Sequence, residues 1–243
     1  MKKFLLSGVA LAALLGTPAL AADMPLKAPP LPPPVWSWTG CYLGGHAGGA
    51  WAHDDLTDVG IGGVSFAAAG KAGQTFPLRT SDLFFGVHVG CNYQFSAIVV
   101  GIEGDGGMMD LHGAVLDPGT ASSTMVGISS GAYGDVTGRI GVAFGDALIY
   151  AKGGWAAYGG RETFSTTAPF TVGTGVNLFQ GWTAGGGIEY HLGGPWTAKI
   201  EYLHYDFGTQ TFFLTPVAWP FAEKLTVDTV EVGFNVKFDW APH

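Results

Sequence analysis

The segment V-E-V-G-F-N-V-K-F, residues 230–238, decides the fold of this chain. Side chains of a β-strand alternate between its two faces, so the valines and phenylalanines of this segment share one face. Glu231, Gly233, Asn235 and Lys237 share the other face. The same alternation recurs along the chain, without enough helical sequence to cover all the apolar faces. We therefore expect the apolar face to contact lipid and the polar face to line the interior of a barrel.

Residues 1–22 have the pattern of a secretory signal peptide. Lys2 and Lys3 form a basic start, residues 4–15 form an apolar segment too short to span a bilayer, and Ala-Leu-Ala-Ala at 19–22 supplies a cleavage site. The proline-rich residues 23–36 predict an extended periplasmic spacer. Residues 37–243 then form the barrel domain.

The composition favours an outer-membrane barrel over a soluble one. Hydrophobic residues make up 47% of the chain and charged residues only 12%, about half the usual charged fraction. Loss of Lys2 and Lys3 with the signal peptide changes the formal net charge from -8 to -10. Because phosphate contacts need clustered Lys and Arg, we expect no nucleic-acid partner.

The pattern predicts an all-β fold, an eight-stranded antiparallel up-and-down transmembrane barrel. Short connections at Ser96, 145–146 and 191–195 alternate with long connections at 52–81, 110–132, 160–180 and 208–224. Outer-membrane barrels have short periplasmic turns and longer surface loops. The predicted strands cover residues 37–51, 82–95, 97–109, 133–144, 147–159, 181–190, 196–206 and 225–240.

Aromatic residues near the strand ends predict two belts at the membrane interfaces. A soluble barrel would instead bury such residues in its core, but their placement toward strand ends favours the belts. The main candidates are Trp38, Trp51, Trp155, Trp182, Trp196, Phe238 and Trp240.

Several motifs resemble one family. They include W-T-G-C-Y-L-G-G-H-A-G (38–48), V-V-G-I-E-G-D (99–105), G-R-I-G-V-A-F (138–144), L-I-Y-A-K-G-G (148–154) and V-G-F-N-V-K-F (232–238). This set is similar to the alphaproteobacterial outer-membrane immunogenic proteins, which are opacity-like, porin-type eight-stranded barrels. One departure is the tail, because five residues follow Phe238 where such barrels usually end on an aromatic residue.

The resemblance implies a surface antigen of the outer membrane that stabilises the cell envelope and has no catalytic role and no cofactor. It also implies contact with outer-membrane lipid, lipopolysaccharide and the barrel-assembly machinery, and partners on the host or envelope that bind the loops. Some relatives are described as porins or haem binders. A narrow porin is therefore the alternative function, and a haem-binding or lipid-modifying barrel is a further one.

Nearly all strand charges have inward parity. A Lys or Arg on the lipid face would cost about 2–4 kcal/mol at the bilayer midplane, which explains the pattern. The charges could form a salt-bridged plug or a polar path for solutes. The plug is favoured because eight strands enclose little more than their own side chains. The predicted lumen network contains Glu103, Asp105, Arg139, Lys152, Glu189, Lys199, Glu201, Glu231 and Lys237.

Two sets of residues toward the surface end could suggest chemistry. His204 with Asp206 is the one pair near the surface end that could suggest acid–base catalysis, and we interpret it as an ordinary strand ending. His53, Asp54, Asp55 and Asp58 could take a cation, and we interpret them as a solvated acidic loop. We therefore expect no catalytic residues and no metal ligands.

Cys41 and Cys91 are the two cysteines of the chain. They lie near the start of the first strand and the end of the second, which antiparallel pairing would bring together. An oxidising periplasm permits a disulfide if the Cα atoms lie within about 7 Å. Two free thiols facing lipid are the alternative, and the sequence leaves both open.

Overall fold

The computed structural model describes residues 36–59, 73, 75–111, 113–116, 124–166, 171–214 and 219–238. Across these ranges, no helix is long and apolar enough to cross a membrane. The predicted signal peptide, nearly all of the predicted spacer and the belt candidate Trp240 lie outside the described residues.

The described residues form nine β-strands, and the alternating sequences predicted above lie on them. The strands are β1 (Gly40–Asp58), β2 (Thr75–Phe95), β3 (Ile98–Met109), β4 (Gly113–Leu116), β5 (Thr124–Phe144), β6 (Ala147–Thr166), β7 (Thr171–Gly193), β8 (Trp196–Leu214) and β9 (Trp219–Phe238).

Eight of these strands close into an antiparallel barrel, which confirms the predicted fold. The sheet order is β3-β2-β1-β9-β8-β7-β6-β5-β4, and an additional pairing of β3 with β5 closes the ring. The four-residue strand β4 pairs with β5 beyond the end of β3. Closure leaves each of the eight long strands with two neighbours, so no membrane-spanning backbone edge is left unpaired.

One end of the barrel carries three tight turns. They lie at residues 96–97, 145–146 and 194–195, and Ser96, Gly145 and Gly194 adopt positive φ angles of 57°, 61° and 58°. Glycine adopts this conformation without a steric penalty, which suits it to two of the three turns. We call this end the turn end, and the opposite end the loop end.

The strands extend farther toward the loop end than predicted. Much of the sequence interpreted as the first long loop, residues 52–81, continues β1 to Asp58 and begins β2 at Thr75. Strands of 19–23 residues far exceed the 9–11 residues or so that cross a bilayer. Backbone pairing does not require an apolar face, so the ladders continue past the last lipid-facing residue.

The two faces of the wall have opposite character, as the segment 230–238 predicts. Val232 and Phe234 on β9 are 51% and 55% exposed, whereas Glu231 and Asn235, which flank them in the sequence, are 3% and 1% exposed. The apolar side chains therefore face outward, and the polar side chains fill the interior, which we call the lumen.

Candidate functional site

Two apolar layers close off the middle of the lumen. The loop-end layer is the larger, and its bulkiest side chains are Phe84, Tyr158, Phe179, Tyr205 and Phe207. The turn-end layer consists of Trp38, Val99, Leu148 and Tyr150. All of these side chains are buried. Polar and charged side chains occupy the space between the two layers.

Lys152 lies at the centre of this polar space. Its Nζ is 2.6 Å from Glu103 Oε1, 3.0 Å from Glu201 Oε1 and 3.2 Å from Asp105 Oδ2. Lys199 lies close by, with its Nζ 3.0 Å from Glu231 Oε1 and 3.5 Å from Glu103 Oε1. Charges buried so completely are tolerated only when each has partners of opposite sign, and here one lysine serves several carboxylates.

Arg139 holds the turn-end side of the polar space. Its Nη2 is 3.0 Å from Glu189 Oε2, and its Nε donates to Asn92 Oδ1 at 2.8 Å. The guanidinium carbon lies 4.9 Å from the ring centroids of both Tyr42 and Tyr150. The planar guanidinium can donate along its edge and stack on its faces at once, which a lysine cannot do.

Eight of the nine predicted lumen charges therefore lie together. We call six carboxylates and three cations of this space the charge cluster. Its members are Glu103, Asp105, Asp135, Glu189, Glu201, Glu231, Arg139, Lys152 and Lys199.

Lys237 is the predicted lumen charge that lies elsewhere. Its Nζ donates to the carbonyl oxygen of Ser37 at 2.7 Å and lies 4.6 Å from the ring centroid of Trp36. Lys237 is next to the last residue of β9, so its long side chain reaches the rim of the turn end rather than the charge cluster. Trp36, at the end of the predicted spacer, is thus packed against the barrel.

Tyrosines of the lumen were missed by sequence reasoning. Tyr42 donates to Glu103 Oε2 at 2.5 Å, Tyr150 donates to Glu201 Oε2 at 2.5 Å, and Tyr205 donates to Asp135 Oδ2 at 3.0 Å. Strand parity could have predicted the Tyr150 hydroxyl, because Tyr150 lies two residues from Lys152 on the inward face of β6.

Two histidines also lie in the polar space, on the inward faces of β1 and β2. Their Nδ1 atoms are 2.9 Å apart, His46 Nε2 contacts the Tyr133 hydroxyl, and His88 Nε2 contacts Asn235 Oδ1. A Cβ on Gly44 would lie 2.3 Å from His88 Nε2. Glycine at this position therefore makes the room that the second imidazole needs.

Most of the predicted belt residues face outward. Trp51, Trp155, Trp182, Trp196 and Phe238 are 45–51% exposed, and the first three lie toward the loop end.

Trp38 contradicts its interpretation as a belt residue. It is 3% exposed and lies in the turn-end layer, with its backbone N–H donating to Gln94 Oε1 at 2.7 Å. Trp38 precedes the first residue of β1, Gly40, so strand parity does not determine where its side chain points.

The pair considered for catalysis does not form. His204 Nδ1 is 2.8 Å from Asp228 Oδ1, whereas Asp206 Oδ1 accepts a hydrogen bond from the backbone N–H of Gly208 at 2.8 Å. His204 and Asp228 lie on the outward face, opposite in parity to the buried Leu203 and Thr229. They are therefore separated by the wall from the lumen.

The predicted acidic loop cluster is likewise divided. His53, Asp54 and Asp55 lie on β1 rather than on a loop. Asp54 is buried on the inward face, and Asp55 is exposed on the outward face. Consecutive strand residues point to opposite sides of the wall, so these side chains cannot converge on one cation.

The structure joins Cys41 and Cys91 in a disulfide. The two residues lie directly opposite each other in the register of β1 and β2, with Cα atoms 4.0 Å apart. The bond crosslinks the two strands near the turn end.

Comparison with known proteins gives matches over nearly the whole chain. The family model for the outer membrane protein beta-barrel domain matches residues 7–238. The 31 kDa outer-membrane immunogenic protein of Brucella melitensis is 31% identical, with 98% of this chain and 100% of that protein covered. The 22 kDa outer membrane protein of Rhizobium leguminosarum is 28% identical, with 90% and 83% covered.

Among solved structures, the outer membrane protein OprG of Pseudomonas aeruginosa is similar with a TM-score of 0.47 and 11% identity. The match covers 82% of this chain and 97% of that one.

Proposed function

This chain belongs to the outer-membrane β-barrel family, and from that premise we propose that it is a closed, structural barrel that presents its loop end at the cell surface. Its place is the outer membrane, as for its relatives in Brucella and Rhizobium. The lipid-facing wall and the belts of Trp and Phe provide the fit to the bilayer.

The observation that carries this proposal is the filling of the lumen. The charge cluster lies between two apolar layers. Eight of its nine members are buried, and the side chain of the ninth, Asp105, is 4% exposed. An ion crossing the lumen would have to displace an apolar layer, separate buried ion pairs and displace the second apolar layer. Because breaking a buried ion pair costs several kcal/mol, the filling supports a plug rather than the alternative, a narrow porin.

We assign the barrel no catalytic role. A lysine Nζ lies within 3.0 Å of a carboxylate oxygen of each of Glu103, Glu201 and Glu231, and a second lysine Nζ lies 3.5 Å from Glu103. These ion pairs leave the three carboxylates unsuited to act as free acids or bases. His204 and Asp228 pair on the outward face, in the region of Trp182, whose ring centroid is 5.6 Å from that of His204. The haem-binding and lipid-modifying alternatives have no support among these contacts.

The surface role rests on the long ladders at the loop end. Strands such as β1 and β2 run well past the outward-facing Trp51, so the loop-end termini of these strands lie beyond the belt. The Brucella relatives are named immunogenic. We propose that this end is the antigenic surface and binds partners of the host or envelope. Lipopolysaccharide would contact the outer wall around Trp51. The barrel-assembly machinery would insert the barrel into the membrane.

Deletion of the gene and complementation test this function. We expect the deletion strain to become more sensitive to detergents, and the wild-type protein to restore resistance. A variant that lacks residues 60–72, which connect β1 to β2, should also restore resistance but show weaker recognition by antibodies raised against whole cells. Unchanged detergent resistance in the deletion strain would contradict the structural role.

A further inference from the structure

Three adjacent strands bring two imidazoles and a carboxylate to one point inside the lumen. His46 lies on β1, His88 on β2 and Asp105 on β3, and His88 is directly opposite Asp105 in the register. One ligand atom from each residue lies within 4.8 Å of the other two. We propose that these three side chains bind one divalent transition-metal ion.

The distances suit such an ion. The two Nδ1 atoms are 2.9 Å apart, and each lies 3.9 Å from Asp105 Oδ1. Bonds from zinc to imidazole nitrogen or carboxylate oxygen are about 2.0–2.2 Å long, so ligand atoms around one ion are typically 3–4 Å apart. Side-chain rotation would have to bring these three atoms, now 2.9 and 3.9 Å apart, to bonding distance of one ion. Imidazole ligands favour zinc, copper and nickel over magnesium and calcium.

Hydrogen bonds orient His88 for this role. Asn235 Nδ2 donates to Glu189 Oε1 at 2.7 Å, which turns Asn235 Oδ1 toward His88 Nε2. His88 Nε2 must therefore carry a proton and donate it to Asn235. The neutral imidazole then has its lone pair on Nδ1, toward the proposed site. Asn235, the hydrogen-bond partner of Nε2, holds the ring in place, as such partners do in known metal sites.

His46 can complete the site by a change of tautomer. With no ion bound, His46 Nδ1–H donates to His88 Nδ1, and the Tyr133 hydroxyl donates to His46 Nε2. When the ion binds, the His46 ring loses the proton on Nδ1 and takes up one on Nε2, so that it now donates to the Tyr133 oxygen. This is a change of tautomer with no net release of a proton, and both imidazoles stay neutral beside the dication.

The charge balance of the lumen independently favours a cation here. The charge cluster has six carboxylates and three cations, an excess of three negative charges when every member is ionised. Asp135, directly opposite Asp105 in the register, is 3% exposed, and its Oδ1 makes no hydrogen bond. A dication at Asp105 would lower this excess, and Asp135 is placed to assist as a further ligand or acceptor.

The apolar layers determine how the ion would enter. The site lies between the loop-end and turn-end layers, so an ion must enter before the barrel closes or wait for a rare opening. We therefore expect metal present during refolding to be incorporated much faster than metal added to the folded barrel.

Refolding of the mature protein in detergent with one equivalent of Co²⁺, followed by removal of free metal, tests the proposal. We expect one Co²⁺ per chain, absorption bands typical of nitrogen and oxygen coordination, and displacement by Zn²⁺ on refolding with both ions. His46→Asn, His88→Asn and Asp105→Asn should each weaken retention at least about tenfold. His204→Asn is the matched control, since it removes a histidine–aspartate pair on the outward face, and retention should stay unchanged.

Folding of each variant is checked by the heat-dependent shift of its electrophoretic mobility. If the histidine variants do not fold, the Cu²⁺ form of the wild-type protein decides, because its electron paramagnetic resonance should show coupling to two imidazole nitrogens. Failure of the wild-type protein to retain metal offered during refolding would overturn the proposal. So would a spectrum with oxygen ligands alone, or loss of the ion in the His204→Asn variant.

Discussion

Lys152 is the residue on which the interior of the barrel depends most. Three carboxylates lie within 3.2 Å of its Nζ, and they come from β3 and β8, while Lys152 itself lies on β6. One ammonium group thus links strands on different sides of the barrel. Removing it would leave Glu103, Asp105 and Glu201 with fewer partners in a space from which water is largely excluded.

Lys152→Met should therefore destabilise the folded barrel strongly. Loss of one partner from a buried ion pair costs about 3–5 kcal/mol, because the opposite charge stays buried. Urea unfolding in lipid vesicles, followed by tryptophan fluorescence, measures the effect. Lys237→Met is the matched control, because Lys237 lies at the rim with a carbonyl oxygen as its acceptor, and we expect it to cost about 1 kcal/mol or less. Equal destabilisation by the two substitutions would contradict the role assigned to Lys152.

At the scale of the strand, β9 shows how alternation determines which face meets lipid. Val232 is exposed on the outer wall, and its neighbour Glu231 is buried in the charge cluster. A shift of one residue in the register would exchange these environments for every residue of the strand. The register of β9 is therefore fixed on the outer face by contact with lipid and on the inner face by the ion pair of Glu231 with Lys199.

Val232→Lys should impair insertion. The substitution places an ammonium group on the lipid-facing wall, at a cost of about 2–4 kcal/mol near the midplane. We expect this variant to lose the heat-modifiable mobility of a folded barrel, while Val232→Ile keeps it. Normal folding of Val232→Lys in membranes would show that this face of β9 does not contact lipid.

Alternation predicted most of the barrel because it is a local property. Eight long strands, three tight turns and the inward parity of residues such as Glu103 and Lys199 follow from neighbouring residues alone. The ends of the strands do not, because the ladder between β1 and β2 continues beyond the last lipid-facing residue. Trp38 was misplaced for a related reason, since it lies before the first strand, where alternation carries no information.

The contacts within the lumen depend on long-range geometry and were harder to predict. The histidine pair joins β1 to β2 and has further partners on β5 and β9, and Arg139 on β5 reaches Glu189 on β7. Such contacts require the diameter and stagger of the closed barrel, which a single strand does not specify. Parity predicted which side chains point inward, but it did not predict which of them meet.

At the scale of the whole molecule, the barrel has an apolar outer wall and a polar lumen. The loop-end and turn-end apolar layers close the lumen on either side of the charge cluster. The disulfide between Cys41 and Cys91 adds a covalent link between β1 and β2. The charge cluster holds more carboxylates than cations. A cation held by His46 and His88 would reduce this excess without opening a path through the lumen.

Planar-bilayer conductance of the refolded mature protein tests the closed lumen most directly. We expect a folded, inserted barrel that shows no discrete current steps, because both apolar layers and the ion pairs fill the path. The Glu231→Gln and Lys199→Gln variants are measured beside it, as probes of any current that passes the charge cluster. Discrete steps in the wild-type protein, with an ion selectivity that changes in these variants, would contradict the account and establish a conducting pore.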